Sequence, residues 1–227
     1  MSSIVDTTFA VVGPTNALED LRERLQAFLD NPAPEYRGSN WGSGLNVDFF
    51  QESLEDGIYP DYEPGSMTAV DEALTPTFDG RQQFRFYTCT NGDCSDLIKE
   101  FVNEWTEGFC TVYWQMLNMD EGSFYTNDVG KNVFAEQFFL TGCIEDNANS
   151  VEANRITDLL NSTFTGDEAY ELLCRIARLK DIPEEDMADM ADRGDIDFMD
   201  YHDDDTSYLE INEVEYCPDE VLSEAIQ

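Results

Sequence analysis

Residues 195–206 read DIDFMDYHDDDT and place six aspartates around His202, the only histidine of the chain. A histidine base needs a nucleophile to activate and a third group to orient it. An imidazole set among solvated carboxylates has neither in its own segment, so nucleophilic catalysis has no support there. The same carboxylates could hold calcium, whose loop requires a glycine at its sixth position and a bidentate glutamate at its twelfth. Counted from Asp195, those positions are Asp200 and Thr206, and the pattern fails. No GxxxxGK[ST] or GxGxxG follows a strand, so there is no phosphate cradle. Cys89 and Cys94 bracket TNGD, too wide for a CxxC and without a second pair or a nearby histidine. They read as small core residues rather than zinc ligands. No cofactor, metal or catalytic residue is expected, although a carboxylate-dependent metallohydrolase would also fit the composition and would retain stoichiometric metal through purification.

What survives is charge. The 227 residues carry 49 acids against 12 bases, for a net −37, yet 41% are hydrophobic and 12% aromatic. That is not the composition of a disordered chain, so the charge belongs to a fold. Residues 1–142 hold 24 acids and seven bases, whereas residues 143–227 hold 25 acids and five bases. The second part is the denser. Self-repulsion on this scale opposes compaction, and salt should stabilise the fold by screening it. Direct binding to nucleic acid or to an anionic membrane is excluded as an expectation, because each phosphate would be repelled.

From Asp181 to the C-terminus there are 18 acids and one base, Arg193, but Ile182, Met187, Ile196, Phe198, Tyr201, Tyr208, Leu209, Ile211 and Tyr216 are threaded through them. The carboxylates are therefore expected on a folded surface. Such a surface can occupy the Lys and Arg array with which a protein holds DNA, whose charges fall every ~1.7 Å of axis. The contact candidates are Asp195, Asp197, Asp200, Asp203, Asp204, Asp205, Glu210, Glu213 and Glu215, with Tyr201, Tyr208, Tyr216 and Phe198 as aromatic anchors. The competing reading is solvation: few lysines and many acids suit a structural or scaffold protein of a halophile or its virus. Six cysteines and many aromatics suit it less.

The elements that must position these groups follow from pattern. Residues 7–12 (TTFAVV) read as a strand ending in Gly13-Pro14. Leu18, Leu21, Leu25 and Phe28 then mark a helix capped by Thr15 or Asn16, with Glu19, Asp20 and Glu23 toward its start, and closed by Pro32 and Pro34. Residues 45–50 form a second strand candidate. Residues 52–80 hold three prolines and no long period, and read as an excursion with a short helix at 69–74. In RQQFRFYTCT, Phe84, Phe86 and Thr88 would share one face of a strand and Arg85, Tyr87 and Cys89 the other. Leu97, Ile98, Phe101, Val102 and Trp105 mark a second helix, and residues 111–118 a fourth strand. Residues 133–140 are a further strand or a buried helical turn. Helices at 150–160 (capped by Ser150), from 166 and at 184–191, a loop at 193–206 and a strand at 207–216 complete the chain.

This order describes a split βαβ arrangement, with two helices on one face of a four-stranded antiparallel sheet. The strand entering Gly-Pro and a helix (FAVVGPTNALEDLRERL), the NWG at Asn40-Trp41-Gly42 and the acid-Gly-aromatic unit MDEGSFY (residues 119–125) resemble the YubB-like ferredoxin-like domains of bacterial plasmids and phages. The resemblance covers about residues 7–130. It implies a ferredoxin-like fold and a mobile-element origin, and it implies no chemistry. The expectation is thus an α+β protein: a ferredoxin-like domain over 1–142 and an acidic, mainly helical extension over 143–227 packed on it. Its function would be a DNA mimic of the anti-CRISPR or antirestriction type, inhibiting a basic nucleic-acid-binding protein in the host cytoplasm. Met1 is followed by polar SSIVDTT and no apolar run approaches a membrane span, so no signal peptide or membrane segment is expected. The thiols are expected reduced. A homodimer stays open.

Overall fold

The computed structural model describes residues 4–32, 37–39, 42–46, 49–50, 65–118, 121–146, 149–192, 194–198 and 206–217. The first unit comprises Met1–Phe134 with Tyr216–Gln227, and the second Ala135–Glu215. In chain order the first contains β1 (Val5–Gly13), α1 (Thr15–Asp30), β2 (Arg37–Ser39), β3 (Gly42–Asn46), β4 (Gly65–Val70), β5 (Thr75–Pro76), β6 (Gln82–Thr90), α2 (Ser95–Trp105), β7 (Thr111–Asn118) and β8 (Ser123–Thr126). The second contains β9 (Phe138–Cys143), α3 (Ser150–Thr157), β10 (Ser162–Phe164), α4 (Gly166–Leu179), α5 (Glu184–Ala191), β11 (Asp195–Asp197) and β12 (Tyr208–Glu213). A last strand, β13 (Glu215–Tyr216), returns the chain to the first sheet.

The protein is α+β. Its first sheet runs β13-β8-β7-β1-β6-β4-β3-β2, with β5 paired to β6, nine strands among the described residues where four were expected. β1 lies at its centre, antiparallel to both β6 and β7, and β4 is antiparallel to β6. The alternation read in the sequence sets the faces. Phe9 stands opposite Phe86 and Trp114, and Val11 opposite Phe84 and Val112. These side chains join Leu18, Leu21 and Leu25 of α1 and Leu97, Ile98, Phe101 and Val102 of α2 in one core. A large apolar side chain buried there contributes about 1.5–3 kcal/mol. Cys94 belongs to this core, and burial pushes its thiol up to about 12. Cys89 is only half-buried; burial, then a hydrogen bond to Asp6, raises its thiol to about 11. All six cysteines are free thiols.

The opposite face carries a smaller cluster in which Ala10, Val12 and Tyr113 meet Val133 and Phe134. Its cover is pinned by Asp128, a buried carboxylate that accepts the backbone N–H groups of Asn132 (3.2 Å), Val133 (2.7 Å) and Phe134 (3.0 Å). Arg85 adds a bond to the Val133 carbonyl at 2.8 Å and lies 5.1 Å from the Phe134 ring centroid.

Several expectations are corrected. Residues 69–74 form no helix: Gly65–Val70 is a strand whose residues pair with β6 from Thr90 to Phe86. Residues 52–64 of the excursion lie outside the described residues. Pro14, not Thr15 or Asn16, occupies the cap position of α1, with no side-chain cap bond. Its fixed φ already suits entry to a helix, and its carbonyl accepts the N–H of Leu18 at 3.0 Å. Asn149, not Ser150, precedes α3 as its cap residue. The position 142 lies inside β9, and beside its three helices the second unit has a four-stranded sheet, β10-β9-β12-β11.

α2 is entered through Asp93, whose carboxylate accepts the N–H of Ser95 at 2.7 Å and its hydroxyl at 3.1 Å. Burial pushes the Asp93 carboxyl above its usual range, against the lowering by the two Ser95 bonds. A carboxyl raised in this way binds its proton more tightly folded than unfolded, so its contribution to stability falls as pH rises through the unfolded value near ~3.9. Asp93→Asn keeps an acceptor and removes the charge. Urea titrations at several pH values should therefore show the variant gaining on the parent as pH rises from acid to neutral; a constant difference would contradict the burial argument.

Candidate functional site

The acidic stretch is organised by a two-stranded hairpin arm at the edge of the second sheet. β11 and β12 pair antiparallel, with Asp195 opposite Glu210, Ile196 opposite Leu209 and Asp197 opposite Tyr208. Because side chains alternate along a strand, Ile196 and Leu209 form the inward pair. Both are buried in the core of the second unit with Leu140, Ile156, Leu172, Ile176, Ile182 and Met187. Tyr208 and Glu210, on either side of Leu209, therefore lie on the outward face of β12. Glu210 and Tyr208 are exposed, Tyr208 by 49%.

Two backbone features make the arm. Gly194 turns the chain from α5 into β11 at φ 83, a left-handed conformation suited to glycine, and its carbonyl accepts the N–H of Ile211 at 2.7 Å. Gly142 of β9 faces Leu209, and a Cβ on it would run into the carbonyl oxygen of Tyr208. Gly142→Ala should cost about 1–3 kcal/mol in urea unfolding, because backbone there cannot move aside cheaply. A variant as stable as the parent would show that the strands separate freely.

The ends of the connecting segment are clasped by one cation. Lys180 is buried; its Nζ donates to the Ser207 hydroxyl at 2.7 Å and to the Glu145 carbonyl, and lies 5.5 Å from the centroid of the Phe198 ring. Phe198 and Ser207 flank the segment that carries Asp200, Asp203, Asp204 and Asp205, and the N–H of Phe198 bonds to the Ser207 carbonyl at 3.3 Å. Glu145 joins this end of the arm from β9's exit, its carboxylate accepting the Thr206 hydroxyl at 2.6 Å. Nothing local in the sequence points to Glu145, 61 residues away.

The nine candidates thus separate. In the backbone register Asp195 pairs with Glu210 and Asp197 with Tyr208. Glu213 is exposed at the end of β12, three residues from Glu210 and so on the other parity of the strand. Glu215 is exposed but stands on β13, which belongs to the first sheet, not to the arm. Asp200, Asp203, Asp204 and Asp205 lie outside the described residues, as do Tyr201 and His202. The expected loop at 193–206 contains strand β11, and Phe198 is a fully buried core residue rather than a contact aromatic.

Three bases of the second unit have partners of their own. Arg175 reaches Glu152 at 2.7 Å and Arg155 approaches the same carboxylate at 3.7 Å. The Arg175 guanidinium, more than Arg155, holds the Glu152 carboxyl below its usual range. Lys180 spends its charge inside. Ala135–Glu215 holds 23 acids against five bases, so the field outside it is strongly negative. Among the described residues, no group of three or more His, Cys, Asp or Glu is placed to hold a metal ion, and no helix is long and apolar enough to cross a membrane. No protein-family model matches the chain, and neither a curated protein nor a solved structure matches it significantly.

Proposed function

We propose that the chain is a DNA mimic, which occupies the basic nucleic-acid-binding surface of a host defence protein in the manner of an anti-CRISPR or antirestriction factor. One observation supports it above the others: Asp195 and Glu210 stand directly opposite each other on an arm whose other face is locked in the core. Like charges placed so across a strand pair cost about 0.2–1 kcal/mol. Solvation alone needs no such placement, because dispersed carboxylates hydrate a surface equally well.

The finer fold belongs to the same proposal. The central strands β7-β1-β6-β4 with α1 and α2 are read as a ferredoxin-like split βαβ unit, widened at both edges, and the YubB-like resemblance as a mobile-element origin. The arm would then act in the host cytoplasm as an added inhibitory surface.

The test is retention of host proteins on the immobilised chain, eluted with a salt gradient. One DNA- or RNA-binding complex, displaced by added duplex DNA, is the expected result. A broad smear of basic proteins, or no retention, overturns the reading. The halophile reading is separated by circular dichroism at low ionic strength: a mimic stays folded and binds best there, whereas a solvation-adapted scaffold unfolds.

A further inference from the structure

In the second unit a cleft of about 290 Å³ opens between the end of α3, β10 and the first turns of α4. Leu159, Phe164 and Leu172 give it an apolar lining, and Leu159 remains 42% exposed. Glu168 and Glu171, one helical turn apart, stand at its edge, and both are exposed. Arg175 forms the remaining wall, but its guanidinium already bonds Glu152 through Nε at 3.2 Å and a terminal nitrogen at 2.7 Å. The uncompensated charge of the cleft is therefore that of two carboxylates.

We propose that this cleft takes one arginine or lysine side chain of the basic partner, its aliphatic stem on Leu159, Phe164 and Leu172 and its charge between Glu168 and Glu171. The partner's identity rests on the reading above; the chemistry of the cleft does not. Three features favour this occupant. Its volume lies at the low end for ligand pockets, about 300–1,000 Å³, which suits one long side chain better than a whole cofactor. An apolar lining edged by carboxylates matches a side chain that buries a methylene stem and keeps a charged head. An anion is disfavoured although the cleft adjoins a helix N-terminus, because the capping box fills that end: Glu168 accepts the N–H of Thr165 at 3.0 Å and its hydroxyl at 2.8 Å. Those bonds from Thr165 hold the Glu168 carboxyl below its usual range, so it stays ionised at neutral pH. They also leave it further lone pairs for a guanidinium.

The experiment uses the full chain labelled with ¹⁵N and a capped tripeptide, acetyl-Leu-Arg-Leu-amide, at an ionic strength above 0.15 M, where the Debye length is below about 8 Å and diffuse attraction is screened. Saturable amide shifts are expected at Thr163, Phe164 and residues 168–172. Exchanging arginine for citrulline, which keeps the shape and removes the charge, should weaken binding about tenfold, and Glu171→Gln should do the same. Leu159→Ser, at an exposed position, should weaken binding of the peptide without altering the fold. Shifts spread over the whole acidic surface, or equal binding of the citrulline peptide, would overturn the proposal. Because the peptide probes the cleft without a partner, saturable binding here with no retained host complex would leave the cleft standing and sink the mimicry reading; the reverse pattern would do the opposite.

Discussion

Replacing Asp195 and Asp197 with asparagine and Glu210 with glutamine should weaken binding to the proposed basic partner by about 10²-fold or more near 0.1 M salt, with the fold intact. The substitutions keep size and hydrogen-bonding capacity, so the lost quantity is charge on a strand pair whose inner side is fixed by Ile196 and Leu209. If each carboxylate acts as a phosphate surrogate, the plot of log affinity against log salt should flatten by up to about three units of slope, one per group removed. The association rate should fall more than the dissociation rate rises, since the field steers encounter. Stability should not fall. Removing the repulsion between Asp195 and Glu210 should raise the urea midpoint slightly, by an amount within about 0.2–1 kcal/mol per pair. Unchanged inhibition by a folded variant would remove the arm from the function. A large loss of stability would show instead that these carboxylates are structural.

The second large effect lies beneath the arm. Lys180→Met keeps most of the stem volume but deletes the cation that joins Ser207, the Glu145 carbonyl and the Phe198 ring. The buried Ser207 hydroxyl and the part-buried Glu145 carbonyl then lose a charged donor, and the Phe198 ring loses its cation. The expected cost is about 3 kcal/mol, the order found when one member of a buried polar set is removed. Phe198→Ala, at a fully buried ring, should cost about 3–5 kcal/mol through cavity formation. In both variants amide exchange should accelerate first in β11 and β12, because these strands depend on the clasp. Loss of less than about 1 kcal/mol from Lys180→Met would mean that water replaces the ammonium, and the arm would then owe its position to the apolar pair alone.

Much of the first unit was legible because its signals are local. β6 places Phe84, Phe86 and Thr88 and β7 places Val112, Trp114 and Met116 at every second residue, and α1 and α2 repeat apolar residues at three and four, so periodicity identifies them. β4 was not legible: Met67, Ala69 and Val70 followed by Asp71, Glu72 and Ala73 look helical in isolation. Only pairing with β6 across a turn makes them extended, a tertiary override of propensity. The second sheet was hidden for the same reason on a longer scale. β9 meets β12 through pairs such as Leu140 with Ile211, and β11 is only three residues long. The candidate site was legible as composition but not as geometry. Charge density singled out the aspartates, while the pairing of Asp195 with Glu210 and of Asp197 with Tyr208 needed the register. Phe198 shows the limit of reading aromatics in an acidic stretch as contacts: this one holds the arm from inside.

β13 carries a consequence for biosynthesis. The edge strand beside β8 begins at Glu215, the last residue of Ala135–Glu215, so the second unit is an insertion in the sequence of the first. A ribosome delivers β1 through β8 early and withholds the outer strand until the whole acidic insert has been made. The nascent first unit therefore waits with the edge of β8 unpaired, an invitation to pair with another chain. The negative charge of the emerging insert would repel a neighbouring nascent copy during that interval and so guard that edge.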